Sequence, residues 1–193
     1  MPQPEHIIKL PSLPDPDDLP DDIKKYFAIC EEKLGLVPNV LRAYTANVEK
    51  FRTFSAFYNQ LMLDEENCGL SKLEREMIAV VVSSANHCYY CLIAHGRAIR
   101  NLSGDPQLGE MMVTNYRVAE LEPKHRAMLD YAWKLTLSPH DIGDADRKGL
   151  KDAGFSDQDI FDITDVTAFF NYTNRMAHAL DMMPNPEYHG MDR

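Results

Sequence analysis

Two helix-start patterns, each followed by a long apolar repeat, do most to fix the fold class of this chain. Ser71 and Glu74 form the Ser-x-x-Glu pattern of a capping box, and Ser156 stands before the second repeat. After each start, apolar residues recur at steps of three and four, which is the period of a helix with one buried side. No segment alternates between apolar and polar residues for long enough to predict a strand. The sequence therefore predicts an all-α fold, a helical bundle.

Other boundary signals define the remaining helices and an N-terminal arm. Residues 1–20 hold six prolines, so we expect an extended arm with no core of its own. Residues 21–193 are expected to form a single helical domain. Asn86 is a favourable N-cap residue, which predicts that a helix starts at His87. Helices are predicted over about 21–34 with a stop at Gly35, from Pro38 to about 62 with a break allowed, from 71 onward, from 87 to about 102, after Pro123, in a short segment ending at Gly154, and after Ser156.

The charge balance and the apolar runs argue against two classes of partner. The chain has 20 basic and 30 acidic residues and a net charge of −10, which argues against binding to a nucleic-acid backbone. Its longest purely apolar run, from Met77 to Val82, is much shorter than the ~20 residues of a membrane-spanning helix, so no membrane segment is predicted. The N-terminus lacks a basic segment followed by an apolar one, so we expect no secretory signal and a cytoplasmic protein.

One short segment concentrates the residues that can carry chemistry. Cys88, Cys91 and His95 follow one another at steps of three and four, and Glu76 lies twelve residues before the first cysteine. On a helix each residue turns by about 100°, so the cysteines lie about 60° apart and the histidine about 40° from the second one. Residues three apart have Cβ atoms about 5–6 Å apart, close enough for a disulfide after modest adjustment. The spacing therefore predicts two thiols and an imidazole on one helix face.

This arrangement suits reversible thiol chemistry. A cysteine reacts as its thiolate, and a helix N-terminus or a nearby base favours that form. Both cysteines fall in the first two turns of the predicted helix, and by this argument Cys88, nearest the start, is the more acidic. His95 is the expected proton shuttle, and Glu76 would orient its ring if the two helices pack side by side. Oxidation of one sulfur to sulfenic acid and condensation with the other thiol would complete a cycle.

The other candidate residues have simpler interpretations. Cys30 is expected to be a buried apolar residue, and Cys68 lies in a polar loop without an accompanying base. The Cys-x-x-Cys-x-x-x-His segment offers three zinc ligands, but a closed zinc site needs a fourth and the sequence holds no second pair, so no metal is predicted. Asn171, Arg175 and His178 are expected either to hydrogen-bond to the cysteine-bearing helix or to lie at the surface.

At these residues the chain resembles the alkylhydroperoxidase D-like group of the carboxymuconolactone decarboxylase superfamily. The signature of that group is a Glu, eleven residues, and then Cys-x-x-Cys-x-x-x-His; the chain matches it at Glu76, Cys88, Cys91 and His95. The motif and its flanking helices cover roughly residues 70–102.

The resemblance extends over most of the chain. Residues 39–41, Asn-Val-Leu, and residues 170–175, Phe-Asn-Tyr-Thr-Asn-Arg, are similar to the branch of uncharacterised peroxidase-related enzymes. Membership in this group implies an all-helical fold, homo-oligomers built from dimers, and reduction of peroxides by the cysteine pair without a cofactor. The implied partners are a peroxide substrate and a dithiol reductant, for which the family suggests a lipoyl-type protein.

The resemblance also implies a role for each motif residue. Carried over, Cys91 meets the peroxide, Cys88 resolves the oxidised sulfur, His95 shuttles the proton and Glu76 is its partner. The best-understood relatives carry a histidine immediately before the second cysteine, where this chain has Tyr90, which implies a shorter relay and a weak or redirected peroxidase activity. The role implied for Cys91 disagrees with the helix-dipole argument, which favours Cys88. Because His95 lies one turn beyond Cys91, we follow the resemblance here and expect Cys91 to meet the peroxide.

Two other functions are compatible with the same residues. One is decarboxylase-type chemistry of the wider superfamily on a small lactone acid, which does not need two thiols, so the cysteine pair counts against it. The other is a non-enzymatic helical oligomer that senses oxidants through a reversible disulfide or binds partners.

Overall fold

The structure, a computed structural model, describes residues 1–9 and 12–193. Within these residues every regular element is helical, which confirms the predicted all-α fold. None of the helices in this part of the chain combines the length and the apolar character that crossing a membrane requires. Nine α-helices follow one another there: α1 Asp21–Leu34, α2 Asn39–Tyr44, α3 Val48–Tyr58, α4 Lys72–Ala85, α5 Tyr89–Ser103, α6 Pro106–Asn115, α7 Pro123–Leu137, α8 Asp144–Asp152 and α9 Asp157–Ala179.

Most of the predicted helix boundaries are confirmed. Helix α1 covers the predicted range and ends at Gly35, which adopts a left-handed conformation with φ 75°. Both hydrogen bonds of a capping box are present at Ser71 and at Ser156. The serine hydroxyl accepts the backbone N–H of the third helical residue, and the serine N–H donates to the carboxylate of that residue at 2.8 Å. Helix α6 is absent from the prediction, although Asp105 caps it and Pro106 occupies its first turn.

Helix α4 lies at the centre of the bundle and packs against α5, α7 and α9. All of its residues from Glu74 to Ser83 are buried, so the helix is surrounded and not buried on one side only. This explains the apolar run from Met77 to Val82, because every side of the helix faces a neighbour. Any polar group that α4 contributes to a site is therefore held inside the protein.

The turn between α4 and α5 differs from the prediction. Asn86 ends α4 instead of starting α5, and His87 has a left-handed backbone conformation with φ 54°. The His87 N–H donates to the Ser84 carbonyl at 3.1 Å, and the Cys88 N–H donates to the Ser83 carbonyl at 2.9 Å. These two bonds form a Schellman motif with a histidine where glycine is usual. The prediction of a helix from His87 was wrong because asparagine is favourable at both ends of a helix.

The N-terminal arm packs against the domain. Pro16–Asp18 form one 3₁₀ turn, and both Ile8 and Leu19 are buried against residues of the helices. The arm therefore contributes apolar side chains to the core of the helical domain. Residues 10 and 11 of the predicted arm lie outside the described residues.

Replacing His87 by glycine is expected to stabilise the protein. A residue other than glycine costs about 1–2 kcal/mol in the left-handed conformation, and glycine removes that cost while adding entropy to the unfolded chain. We expect His87→Gly to raise the free energy of unfolding in urea by about 0.5–1 kcal/mol. His87→Ala keeps the Cβ and should bring no gain, so it is the matched control. A glycine variant that is less stable than the wild type would contradict this description of the turn.

Candidate active site

Glu76 of α4 and His95 of α5 face each other inside the bundle. Glu76 Oε2 lies 2.6 Å from His95 Nδ1, and only 11% and 12% of the two side chains are exposed. An ionised carboxylate offers only acceptors, so Nδ1 carries the hydrogen and donates it. The other ring nitrogen, Nε2, is then the one that can accept a proton. The pairing that the spacing predicts is present, and the catalytic roles of the two residues stay predictions.

The imidazole of His95 is held from a second side by α9. The Phe170 ring meets it edge to face, with the ring centres 4.7 Å apart and the planes at 86°. Phe170 is itself part of the buried core. A carboxylate on one side and an aromatic ring on the other fix the orientation of the imidazole, as a proton shuttle requires.

Both cysteines lie at the start of α5. Cys88 is the N-cap residue, with an extended backbone conformation, and Cys91 lies in the first turn. The Cys88 carbonyl accepts the N–H of Leu92 at 3.0 Å and so begins the helix. Both residues are free thiols, and they are 1% and 3% exposed. The left-handed turn at His87 thus places Cys88 just outside the helix, beside the unpaired N–H groups of the first turn.

The surroundings favour negative charge on Cys88. The Cys91 thiol donates a hydrogen bond to the Cys88 sulfur, and this lowers the pKa of Cys88 to about 7 although burial opposes the change. The Cys91 backbone N–H and the imidazoles of His178 and His95 lower that pKa further. The hydrogen bond to Cys88 and burial raise the pKa of Cys91 well above its ordinary value. These directions agree with the helix-dipole argument, whereas the resemblance implies that Cys91 attacks first.

Asn174 is a site residue that the sequence interpretation missed. It is fully buried, its Nδ2 donates to Ser83 Oγ at 3.0 Å, and its Oδ1 accepts from Asn86 Nδ2 at 3.0 Å. The side chains of Asn174 and Ser83 beside the Cys91 sulfur favour its charged form and so oppose the rise in its pKa. The sequence holds one signal for this role, because Asn174 lies four residues beyond Phe170 and so on the buried side of α9. An amide left unpaired there would be costly, so Asn174 is expected to have a polar partner inside the protein.

Three further polar residues of α9 lie around the turn that carries the thiols. Asn86 Nδ2 donates to Asn171 Oδ1 at 3.1 Å, and His178 Nε2 donates to the Asn86 carbonyl at 2.9 Å. Arg175 donates from Nη1 to the carbonyl and side-chain oxygens of Asn171. Asn171 and His178 thus bond to Asn86, which ends α4, and not to the cysteine-bearing helix α5 as expected. His178 and Arg175 are exposed, which is the other expectation for these residues.

Tyr90, which stands where relatives carry histidine, is directed toward α2. Its hydroxyl accepts the Val40 N–H at 2.9 Å, and its side chain is buried. Asn39 is the first residue of α2, and its backbone N–H donates to Asn185 Oδ1 at 2.7 Å. Because Pro38 offers no side-chain cap, these two groups satisfy the start of α2. Tyr90 therefore holds α2 beside the cysteines.

An apolar cover built from three segments encloses the thiols. The arm, α2 and the segment that follows α9 each contribute apolar side chains to the cluster around Cys88 and Cys91. These side chains are Ile7, Ile8 and Leu13 of the arm, Val40 and Ala43 of α2, and Leu180 and Met182 after α9. The cover explains why both sulfur atoms are almost inaccessible to solvent.

The remaining cysteines show no activation. Cys30 is buried as expected and Cys68 is partly exposed, and burial raises the pKa of both thiols. Among residues 1–9 and 12–193, no group of three or more His, Cys, Asp or Glu side chains is placed to hold a metal ion. The chemistry of the described residues is therefore concentrated at the start of α5.

Comparison with known proteins places the chain among its relatives. The profile of the carboxymuconolactone decarboxylase family matches residues 49–108, which include the whole motif. An uncharacterized peroxidase-related protein from Silicibacter sp. TM1040, known from its crystal structure, is 61% identical over the full length of both chains, with a TM-score of 0.94. An alkylhydroperoxidase AhpD core from Ralstonia eutropha JMP134, also described as an uncharacterized peroxidase-related protein, is 40% identical over 98% of both chains, with a TM-score of 0.93. No curated protein sequence matches the chain.

A more distant structure shares the fold. The debrominase Bmp8 is 18% identical to this chain, covers 88% of it with 89% of its own length, and has a TM-score of 0.74. At that identity the likeness concerns the fold alone. The two closer relatives span essentially the whole chain, and the family profile includes Glu76 and both motif cysteines. The chain therefore belongs to the alkylhydroperoxidase D-like group of the carboxymuconolactone decarboxylase superfamily.

Proposed function

We propose that this protein is a cofactor-free thiol peroxidase that reduces peroxides with Cys88 and Cys91. The observation that carries the proposal is the position of the two free thiols, one at the N-cap of α5 and the other in its first turn, inside one buried cluster. The interaction with Cys91 lowers the pKa of Cys88 to about 7. The hydrogen-bonded pair of Glu76 and His95 beside them supports it. So do the two relatives described as peroxidase-related, which share the fold over their full length.

The proposed reaction uses both sulfur atoms. A thiolate attacks a peroxide oxygen, the O–O bond breaks, and the released alkoxide takes a proton to leave as an alcohol. The attacking sulfur becomes a sulfenic acid. The second thiol then attacks that sulfur, water leaves, and a disulfide joins Cys88 and Cys91. A dithiol reductant restores both thiols by exchange and is itself oxidised to a disulfide.

His95 handles the protons in this scheme. Its Nδ1 is bound to Glu76, so Nε2 is the position that takes a proton from a thiol and returns it to the departing oxygen. The Glu76 carboxylate fixes the tautomer and stabilises the imidazolium that forms. Because Cys88 has the lower pKa of the two thiols, the proposal makes it the first nucleophile, whereas the resemblance implies Cys91 in that role. Both orders end in the same disulfide.

The proposal includes assembly into homo-oligomers built from dimers, as family membership implies. Phe161 of α9 and Val118 are 64% and 60% exposed and are candidate contact residues between subunits. Sedimentation equilibrium measures the number of subunits.

Decarboxylase-type chemistry on a small lactone acid is the second candidate, because the matching family profile carries that name. That chemistry needs no pair of thiols, so the placement of Cys88 and Cys91 in one buried cluster favours the peroxidase. Consumption of a lactone acid that survives the loss of both cysteines would favour the decarboxylase instead.

Loss of either motif cysteine is expected to abolish peroxide turnover. Cys88→Ser and Cys91→Ser should each lower the turnover of cumene hydroperoxide with excess dithiol by at least about 100-fold, because neither sulfur can complete the cycle alone. Cys68→Ser should keep the wild-type rate. Mass spectrometry of the oxidised wild type should show a Cys88–Cys91 crosslink, and trapping of sulfenic acid in each serine variant identifies the first nucleophile. Unchanged turnover in both motif variants would end the peroxidase proposal.

The pH dependence of Cys88 reactivity is expected to report its hydrogen bond to Cys91. A thiol with a pKa of about 7 gains thiolate as the pH rises through 7, so alkylation of Cys88 by iodoacetamide should level off near pH 8. Cys91→Ala removes the donor and should move the inflection to higher pH. Cys91→Ser keeps an O–H donor and should leave the inflection closer to that of the wild type. The same inflection in wild type and Cys91→Ala would show that another group stabilises the thiolate.

Removing the charge of Glu76 should impair turnover with little change in thiol accessibility. Glu76→Gln keeps the size of the side chain but no longer stabilises a protonated His95, so we expect peroxide turnover to fall by about 10- to 100-fold. Glu74→Gln is the matched control, because Glu74 is a buried carboxylate of the same helix that lies 3.4 Å from a histidine, His125. An equal loss of turnover in both variants would indicate a general effect of altering α4 and not a proton relay.

A further inference from the structure

The proposed function requires that a solute reaches the sulfur atoms, and the cover described above prevents it. Cys88 is 1% exposed and Cys91 is 3% exposed, so neither can react with a dissolved molecule while the cover stays in place. Some part of the cover therefore has to move. The three segments of the cover differ in how they are held, and this difference indicates which one moves.

Helix α2 and the segment after α9 are joined to the rest of the protein by buried polar groups. Asn185 is buried, accepts the Asn39 N–H at 2.7 Å and donates to the Val37 carbonyl at 3.0 Å. Asn39 Nδ2 donates to the Met183 carbonyl at 2.9 Å, and the Tyr90 hydroxyl accepts from α2 as described. Breaking such buried hydrogen bonds leaves unpaired polar groups, so these two segments are costly to displace.

The arm is attached through residues that are more exposed to solvent. The Lys9 N–H donates to the Leu180 carbonyl at 2.9 Å, and the Met183 N–H donates to the Ile7 carbonyl at 3.0 Å. Residues 7–9 thus lie along residues 180–183 in an extended pairing of two hydrogen bonds. When the arm leaves, water can satisfy the freed backbone groups, because Ile7, Leu180 and Met183 are only partly buried and Lys9 is exposed.

One carboxylate provides the charged attachment of the arm. Asp181 Oδ2 lies 2.6 Å from Lys9 Nζ and 3.1 Å from His6 Nε2. The His6 ring nitrogen is also 3.0 Å from the Asp181 carbonyl. The side chains of Asp181 and Lys9 are 41% and 66% exposed, so these contacts are accessible to water and salt. Exposed ion pairs of this kind hold a segment only weakly.

We propose that residues 6–9 are a displaceable cover of the thiol site and that their release opens the path by which substrate reaches Cys88. The contacts of Asp181 with His6 and Lys9, here called the charged clasp, hold this cover in place. That the path admits a peroxide substrate rests on the proposed function. That residues 6–9 detach and expose the thiols does not depend on it. Withdrawal of Ile7 and Ile8 uncovers a groove whose walls are apolar side chains of α2, α9 and the segment after it. The open state is a minor population that sets how fast any reagent meets the thiols.

The test measures iodoacetamide alkylation of the folded, reduced full-length protein, with the modified cysteines located by mass spectrometry. Asp181→Asn removes the charged clasp and keeps a residue that tolerates the left-handed conformation of this position, where φ is 49°. Cys88 alkylation is expected to rise about threefold to tenfold in this variant. Ile8→Ala removes apolar contact with the cysteines and should raise it about tenfold. Asp152→Asn, which breaks an exposed ion pair with Lys148 on α8, is the matched control and should leave the rate unchanged.

Salt and the other two cysteines make the test specific. Added sodium chloride should accelerate Cys88 alkylation in the wild type and have much less effect on Asp181→Asn, where the clasp is already lost. The partly exposed Cys68 serves as a reference whose rate stays constant. Cys30, buried in the main core, reports global unfolding. Alkylation of Cys30 that rises in parallel with that of Cys88 would overturn local release of the arm.

Two outcomes separate this inference from the proposed function. If Asp181→Asn and Ile8→Ala both accelerate alkylation while no form of the protein turns over peroxide, the displaceable cover stands and the peroxidase fails. If peroxide turnover is present but neither variant changes the alkylation rate of Cys88, the cover is not residues 6–9 and the inference is overturned.

Discussion

The two backbone hydrogen bonds that close α4 determine the geometry of everything around the thiols. They turn the chain within three residues, bring α5 back along α4, and leave Cys88 as the residue that begins the new helix. Because of this reversal, Glu76 and His95 lie 2.6 Å apart although they are separated by 19 positions in sequence. The turn requires a left-handed conformation at His87, so the backbone is locally strained beside the candidate site residues.

The sequence predicts most of the helices and half of the candidate site, for a physical reason. Capping boxes and one-sided apolar repeats are local, and the pairing of Glu76 with His95 needs only two adjacent antiparallel helices. The left-handed His87 was missed because nothing in its neighbours distinguishes a helix start from a helix end at Asn86. Asn174 was missed because its partners, Ser83 and Asn86, belong to another helix and become neighbours only on folding.

The two cysteines of the motif illustrate how position makes identical side chains unequal. Cys88 accepts hydrogen bonds from the side chain and the backbone of Cys91, so its negative charge is stabilised from several directions. Cys91 supplies one of those donors and is buried beside a sulfur that already favours the charge. The spacing of the motif predicts that the thiols are close, and the helix start at Tyr89 decides which of them is the donor.

Burial of the pair also bears on the fate of an oxidised sulfur. A sulfenic acid that lingers in contact with solvent meets a second oxidant molecule and advances to sulfinic acid, from which ordinary thiols do not recover it. Here the neighbouring thiol belongs to the same buried cluster, while the apolar enclosure keeps other solutes away. In the proposed cycle, ring closure to the disulfide would therefore compete with a rare encounter, and the enclosure that slows the first oxidation would protect the protein from irreversible damage.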